Sequence, residues 1–262
     1  MSPTTTSRKT RWNRVKALVI ESLADLYCAT PKELTRYIKG REPSIVDVRG
    51  TRAILQRIRE YDPHKQFITQ REFFHNSSTG LFGLSEYGAK YAKEILGCQN
   101  ARAFEVRDTE HEFLITLFHV RLHEFCRANN FALAWEQNAI NHNHLINPDA
   151  IARITTPKGT FTFCIEPERQ SFTENHLKKG MKYHSVFGKP ECKQLFGAEK
   201  VRIIFIVLSE RKRKTMLEEF AMEYPYRMFW FTTVDLFMKE IGGEIFRTPK
   251  DFENYAYSFL AV

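Results

Sequence analysis

Apolar residues along the first third of the chain recur at helical spacing. Leu18, Val19, Leu23, Leu26 and Tyr27 fall on one face of a helix, because a 3.6-residue turn stacks such positions on one side. Thr30, Pro31 and Glu33 then read as a helix start. Threonine caps, proline fits the first helical position, and glutamate closes a capping box. A short second helix turns Leu34, Tyr37 and Ile38 inward. A loop is expected over residues 40–47 and a third helix over 50–59, with Ala53, Ile54, Leu55 and Ile58 available to a core. Two strand-like runs follow, 67–74 and 80–84, around the turn-forming residues 75–79. Ser85 caps an amphipathic helix to Leu96 that turns Tyr87, Tyr91 and Ile95 inward. Residues 97–108 are mostly polar and read as a linker.

The pattern restarts at Thr109, Glu110, His111 and Glu112, another capping box. A helix to about residue 129 carries Leu114, Leu117, Phe118, Leu122 and Phe125 on one face. Strands are expected at 131–137, 149–155 and 160–166, the last two joined as a hairpin by the turn at 156–159. A helix over 174–187 precedes the almost unbroken apolar run 201–208, the signature of a strand buried on both faces. A helix at 212–222 and a strand at 227–232 complete an α-β-β-β-α-β-α-β order, and a helix at 234–240 follows it. That order predicts an α/β (α+β) chain with a mixed sheet flanked by helices.

Charge changes the picture in the N-terminal third. Residues 1–96 hold 17 Lys and Arg against 10 Asp and Glu, a net of +7, while the remaining residues hold 22 against 21. A basic segment suits a polyanion, although a solvated surface has the same composition. Arg49, Arg52, Gln56 and Arg59 lie around the outer side of the third helix. Two short helices, an arginine-bearing third helix and a hairpin are what a winged helix presents to a major groove. A small helical protein-binding module is the alternative. The five cysteines are scattered, odd in number and never spaced Cys-x-x-Cys, which fits a reducing cytoplasm rather than a disulfide framework. No signal peptide is readable and no apolar run is long enough to span a bilayer.

Three carboxylates carry the candidate chemistry. Pro148-Asp149 opens the first hairpin strand and Glu166-Pro167-Glu168 closes the second, so adjacent strands bring the acids together. Such a group repels itself unless a cation sits between its members, and hard oxygen ligands suit Mg²⁺ or Mn²⁺. Asp149 and Glu166 are the expected metal ligands. The histidines of His142-Asn143-His144 resemble an HNH or HUH motif by letters only, since a polar loop surrounds them.

This order, with Pro148-Asp149 and Glu166-x-Glu168 on paired strands, resembles the restriction-endonuclease-like PD-(D/E)xK fold. The family usually places lysine where this chain has Glu168. The resemblance implies that Lys178, Lys179 or Lys182 on the next helix supplies the missing cation, with Lys179 and Tyr183 on one helix face and Arg169 a competitor. Together with the N-terminal third, the chain resembles the replication-relaxation family and the related MOBC-type plasmid mobilisation relaxases over about residues 12–220. That likeness implies a winged helix at 1–97, a linker at 98–108 and a nuclease-like domain at 109–262. It further implies a catalytic set of Asp149, Glu166, Glu168 and Lys179, with His111 and Glu112 as contributors from the first helix.

The expected function is metal-dependent nicking of DNA at the origin of a plasmid or mobile element, in conjugative mobilisation or replication. Its partners would be origin DNA, a second copy of the chain and other mobilisation proteins. The nucleophile would be water by default, with a tyrosine such as Tyr183 as the alternative. The alternative is a non-catalytic, sequence-specific regulator whose nuclease-like domain serves dimerisation.

Overall fold

The computed structural model describes residues 8–60, 66–71, 80–105, 109–137, 146–168, 173–198, 200–251 and 256–259. The chain divides into two compact units, Met1–Val120 and Arg121–Val262.

In the first unit, α1 (Arg8–Leu26), β1 (Cys28–Ala29), α2 (Pro31–Lys39), α3 (Ile45–Glu60), β2 (Ile68–Arg71), β3 (Leu81–Leu84) and α4 (Glu86–Ile95) follow in order. The three strands form one antiparallel sheet in the order β1-β3-β2. Ile20, Leu23, Leu26, Leu34, Leu55, Ile58, Ile68 and Leu84 are fully buried in a shared core. Thr30 accepts from the Glu33 backbone N–H, as expected of a cap.

α3 begins five residues before its expected start. Ser44 and Asp47 cap one another's backbone, with Asp47 N–H to Ser44 Oγ at 3.2 Å and Ser44 N–H to Asp47 Oδ2 at 3.1 Å. This is a capping box with aspartate in the glutamate position, and it shortens the preceding loop. α4 buries Gly88, Ala89 and Ala92 rather than the expected face, leaving Tyr87 and Ile95 exposed. The helix lies too close to β2 for larger side chains: a Cβ on Gly88 would come within 1.8 Å of the Phe67 carbonyl oxygen.

The segment expected as a linker packs into this unit over its described part. Ala101 and Phe104 are buried, and the Phe104 N–H donates to the Leu84 carbonyl at 2.8 Å. The division between units falls inside α5 (Thr109–Ala128). Thr116, on its first half, is fully buried with its hydroxyl 2.9 Å from both the Leu26 and Cys28 carbonyl oxygens.

The second unit continues through β4 (Ala132–Gln137), β5 (Ala150–Thr156), β6 (Gly159–Glu168), α6 (Thr173–Val186), α7 (Pro190–Phe196), β7 (Val201–Val207), α8 (Glu210–Glu223), β8 (Phe229–Thr233) and α9 (Val234–Glu240). Its sheet runs β4-β5-β6-β7-β8. The first two pairings are antiparallel and the last two parallel, so the mixed α/β architecture matches expectation. One face packs Ile151, Cys164, Ile203, Phe205, Phe229 and Phe231 against Tyr183, Phe196, Met216 and Phe220 of the helices. The other gathers Phe163, Trp230, Phe246 and Phe259 into an aromatic cluster. α7 is an addition to the expected order, although Pro190 at its first turn and Gly197 in the left-handed region (φ 69°) are ordinary boundary signals.

Candidate functional site: an acidic cluster around a lysine

Strand register assembles the carboxylates. Ala150 faces Ile165 across β5 and β6, and one further step in that register sets Asp149 beside Glu166. Alternation puts Glu166 and Glu168 on one face of β6, and that face is the one covered by α6. Glu166 neighbours Phe205 and Glu168 neighbours Val207 on parallel β7. The cluster therefore sits at the carboxyl ends of parallel strands, where open α/β sheets take their ligands.

α6 presents His176, Lys179 and Tyr183 to this edge at helical spacing. Lys179 Nζ donates to Glu166 Oε2 at 2.7 Å and to Glu168 Oε1 at 2.9 Å, and lies 3.7 Å from Asp149 Oδ2. The Tyr183 hydroxyl donates to Glu166 Oε1 at 2.5 Å. Both Glu166 oxygens are thus hydrogen-bonded, which is what makes a carboxylate with only 1% exposure tolerable. Of the three candidate lysines, Lys179 enters the cluster, while Lys178 and Lys182 are exposed.

The charges do not balance within the cluster: three carboxylates meet one ammonium. Burial, then the neighbouring Asp149 charge, pushes the Glu166 carboxyl up to about 8, against the pull of Lys179 and Tyr183. For Lys179, burial disfavours the charged form, but Glu166, Asp149 and Glu168 outweigh it and raise the pKa above the ordinary lysine value. Burial and the Glu166 charge drive the Tyr183 phenol well above its usual value. The surplus of negative charge thus favours the protonated form of Glu166 and the charged form of Lys179, and it keeps Tyr183 a donor.

The three carboxylates are hard oxygen donors of the kind a divalent cation takes, and they are gathered around the Lys179 ammonium. Among the described residues, no group of three or more His, Cys, Asp or Glu side chains is arranged to hold a metal.

Other expected residues lie elsewhere. Arg169, His142–His144 and the wing loop at 75–79 fall outside the described residues. His111 and Glu112 belong to the first unit, where Glu112 lies 3.7 Å from the Arg102 guanidinium. On α3, Arg49, Arg52 and Gln56 are exposed, and Ile45, 73% exposed, continues the same stripe toward the helix start. Arg59 is half-buried and donates to Gln70. Arg57 stacks its guanidinium over Trp12 at 4.0 Å.

Two neighbours of the cluster go beyond the expected set. Lys212 Nζ, from the first turn of α8, donates to the Glu168 carbonyl at 3.3 Å. His176, 3% exposed, meets Glu219 of α8 at 2.7 Å one turn before Lys179. The helical spacing of His176, Lys179 and Tyr183 is the signal that could have found the histidine. For Lys212 the sequence offers none, because its position depends on how α8 packs.

Comparison with family models, with curated proteins and with solved structures gave no match to this chain.

Proposed function

We propose that this chain is a metal-dependent DNA-nicking protein of the relaxase type, acting at the origin of a plasmid or mobile element. In this reading the first unit is a winged helix and the second a PD-(D/E)xK-like nuclease core. The observation that carries it is Lys179 seated among Asp149, Glu166 and Glu168 at the carboxyl ends of β6 and β7. The order α5-β4-β5-β6-α6-β7, with three antiparallel strands followed by a parallel one, supports the same reading.

Asp149 and Glu166 would hold Mg²⁺ or Mn²⁺, with Glu168 as a further ligand or as the residue that orients water. When bound, such an ion polarises the scissile phosphate and lowers the pKa of a water. Lys179, released from the carboxylates, would stabilise charge on a phosphate oxygen in the transition state. Tyr183 would fix Glu166 through its hydrogen bond. Its 1% exposure favours water over tyrosine as nucleophile. Arg49, Arg52 and Gln56 on α3 would face the major groove, where arginine reads guanine and glutamine reads adenine. The reading carries with it a cytoplasmic setting, with a second copy of the chain and other mobilisation proteins as partners.

One observation favours a second reading, a non-catalytic DNA-binding regulator. Lys179 already pairs with all three carboxylates, so part of the cluster's charge is met without a metal. A nicking assay on supercoiled origin DNA with Mn²⁺ separates the two. Cleavage by wild type that is lost in Asp149→Ala and Glu166→Ala is expected. No cleavage with any divalent ion, with DNA binding retained, would establish the regulator instead.

A further inference from the structure

The amino ends of the same parallel strands border a cavity of about 600 Å³. It lies within the second unit, on the side opposite the acidic cluster. Val201, in its wall, pairs with Thr162, whereas Val207 pairs with Glu168. Six residues of strand separate the two places, about 20 Å at the usual rise. Phe161, Phe187 and Met228 give the cavity an apolar lining, while Lys200, Arg202 and Arg227 bring three cations to it. Arg227 is committed to Asp251 at 2.7 Å.

Arg202 is the unusual member. Its guanidinium lies 5.2 Å from the Trp230 ring centroid and 5.9 Å from that of Phe161. It is half-buried, and burial holds its pKa below the ordinary arginine value, with no charge among the described residues contributing. Ring faces compensate a desolvated cation only in part. A half-buried guanidinium facing a cavity is completed by an anion that accepts its planar donors, and phosphate matches that fork. Phe161 and Phe187, both in the lining, suit a planar, apolar body attached to the anion. A few hundred Å³ is the usual size of a small-molecule site.

We propose that this cavity binds a nucleotide, with the phosphate on Arg202 and Lys200 and the base against Phe161 and Phe187. The nucleotide is either free or part of a single strand, and the chemistry of recognition is the same. The proposal does not depend on the chain cutting DNA, because none of its residues belongs to the acidic cluster.

Isothermal titration of the intact protein in EDTA tests it, with deoxyadenosine monophosphate, deoxyadenosine, inorganic phosphate and a ten-residue oligodeoxyadenylate as probes. The monophosphate is expected to bind at least tenfold tighter than either the nucleoside or phosphate alone. Arg202→Met should weaken it at least tenfold, and Lys200→Ala at least threefold. Lys200 is exposed, so its variant keeps the test open if the Arg202 variant misfolds. Variant-sensitive binding that is tighter for the oligonucleotide assigns the site to a strand, and tighter for the monophosphate to a free nucleotide. No binding of either probe, binding unchanged in both variants, or phosphate binding as tightly as the monophosphate would overturn the proposal. Nicking activity is read separately, so either idea can fail alone.

Discussion

Replacing Glu166 with glutamine should change how stability depends on pH. The raised pKa of Glu166 means that the folded state keeps a proton that the unfolded chain releases. Folded-state stability from this group is therefore complete below about 4.5 and is lost as pH rises through about 8. Each pH unit in that window costs about 1.4 kcal/mol, so the full span sets an upper bound of about 5 kcal/mol. Sharing of protons within the cluster, and water reaching the 36%-exposed Lys179 side chain, reduce the expectation to about 2–4 kcal/mol. The glutamine of the variant would be neutral throughout. Its single acceptor oxygen can serve Lys179 or Tyr183 but not both, which adds an offset that does not vary with pH. The slope is therefore the diagnostic quantity. Trp135 and Trp230 both lie in the second unit, so urea unfolding followed by fluorescence in a Trp12→Phe background reports on that unit. Wild type should lose about 2–4 kcal/mol relative to Glu166→Gln between pH 5 and about 8.5. A difference that stays constant with pH, or that grows in favour of wild type, would refute the electrostatic account.

Two glycines should respond in opposite directions to alanine. A Cβ on Gly50 meets nothing within 4 Å, so Gly50→Ala should stabilise the first unit by about 0.5–1 kcal/mol in thermal unfolding. Gly88→Ala, which drives a methyl into the Phe67 carbonyl, should cost more than about 2 kcal/mol in the same assay. Thr116→Val keeps the shape but leaves two buried carbonyls without its hydroxyl, a loss of about 1–2 kcal/mol by urea titration. If α3 lies on DNA, Arg49→Ala and Arg52→Ala should each weaken binding in filter-binding or anisotropy titrations. Each would lower the slope of log K against log salt by about 1 where the arginine contacts phosphate; an unchanged affinity and slope would remove α3 from the interface.

Periodicity reveals the elements whose sequences state their own boundaries. Ser85 and Thr30 cap where expected, and the apolar run of β7 is a strand at the centre of the parallel part of the sheet. Asp149 and Glu166 are readable as neighbours because hairpin pairing follows from a short turn. Lys179 is one of three candidates, and only the packing of α6 distinguishes it from Lys178 and Lys182. The true start of α3 is hidden by its capping box, because Ile45 and Val46 look like core residues yet are 73% and 75% exposed. The inward face of α4 misleads for a similar reason. Its tyrosines suggest a buried face, but the close approach of Phe67 leaves room only for Gly88 and small neighbours. Arg202 carries no signal at all, since the rings beside it come from two other strands, β6 and β8.

The hairpin register has a consequence for how the acidic cluster comes into being. The paired rungs run from Thr156 and Gly159 at the turn to Ala150 and Ile165 beside the cluster, about 20 Å of strand. Gly159 adopts φ 129°, a conformation that a side chain would strain. Side chains alternate with a period of two, so a slip of one residue at that turn would carry Ile165 and Pro167 toward Lys179 and turn both glutamates to the opposite face. The turn thus acts as the distant gauge of the site. A one-residue insertion there would dismantle the cluster without touching any of its members, and during folding β5 and β6 must find their register before Lys179 has anything to meet.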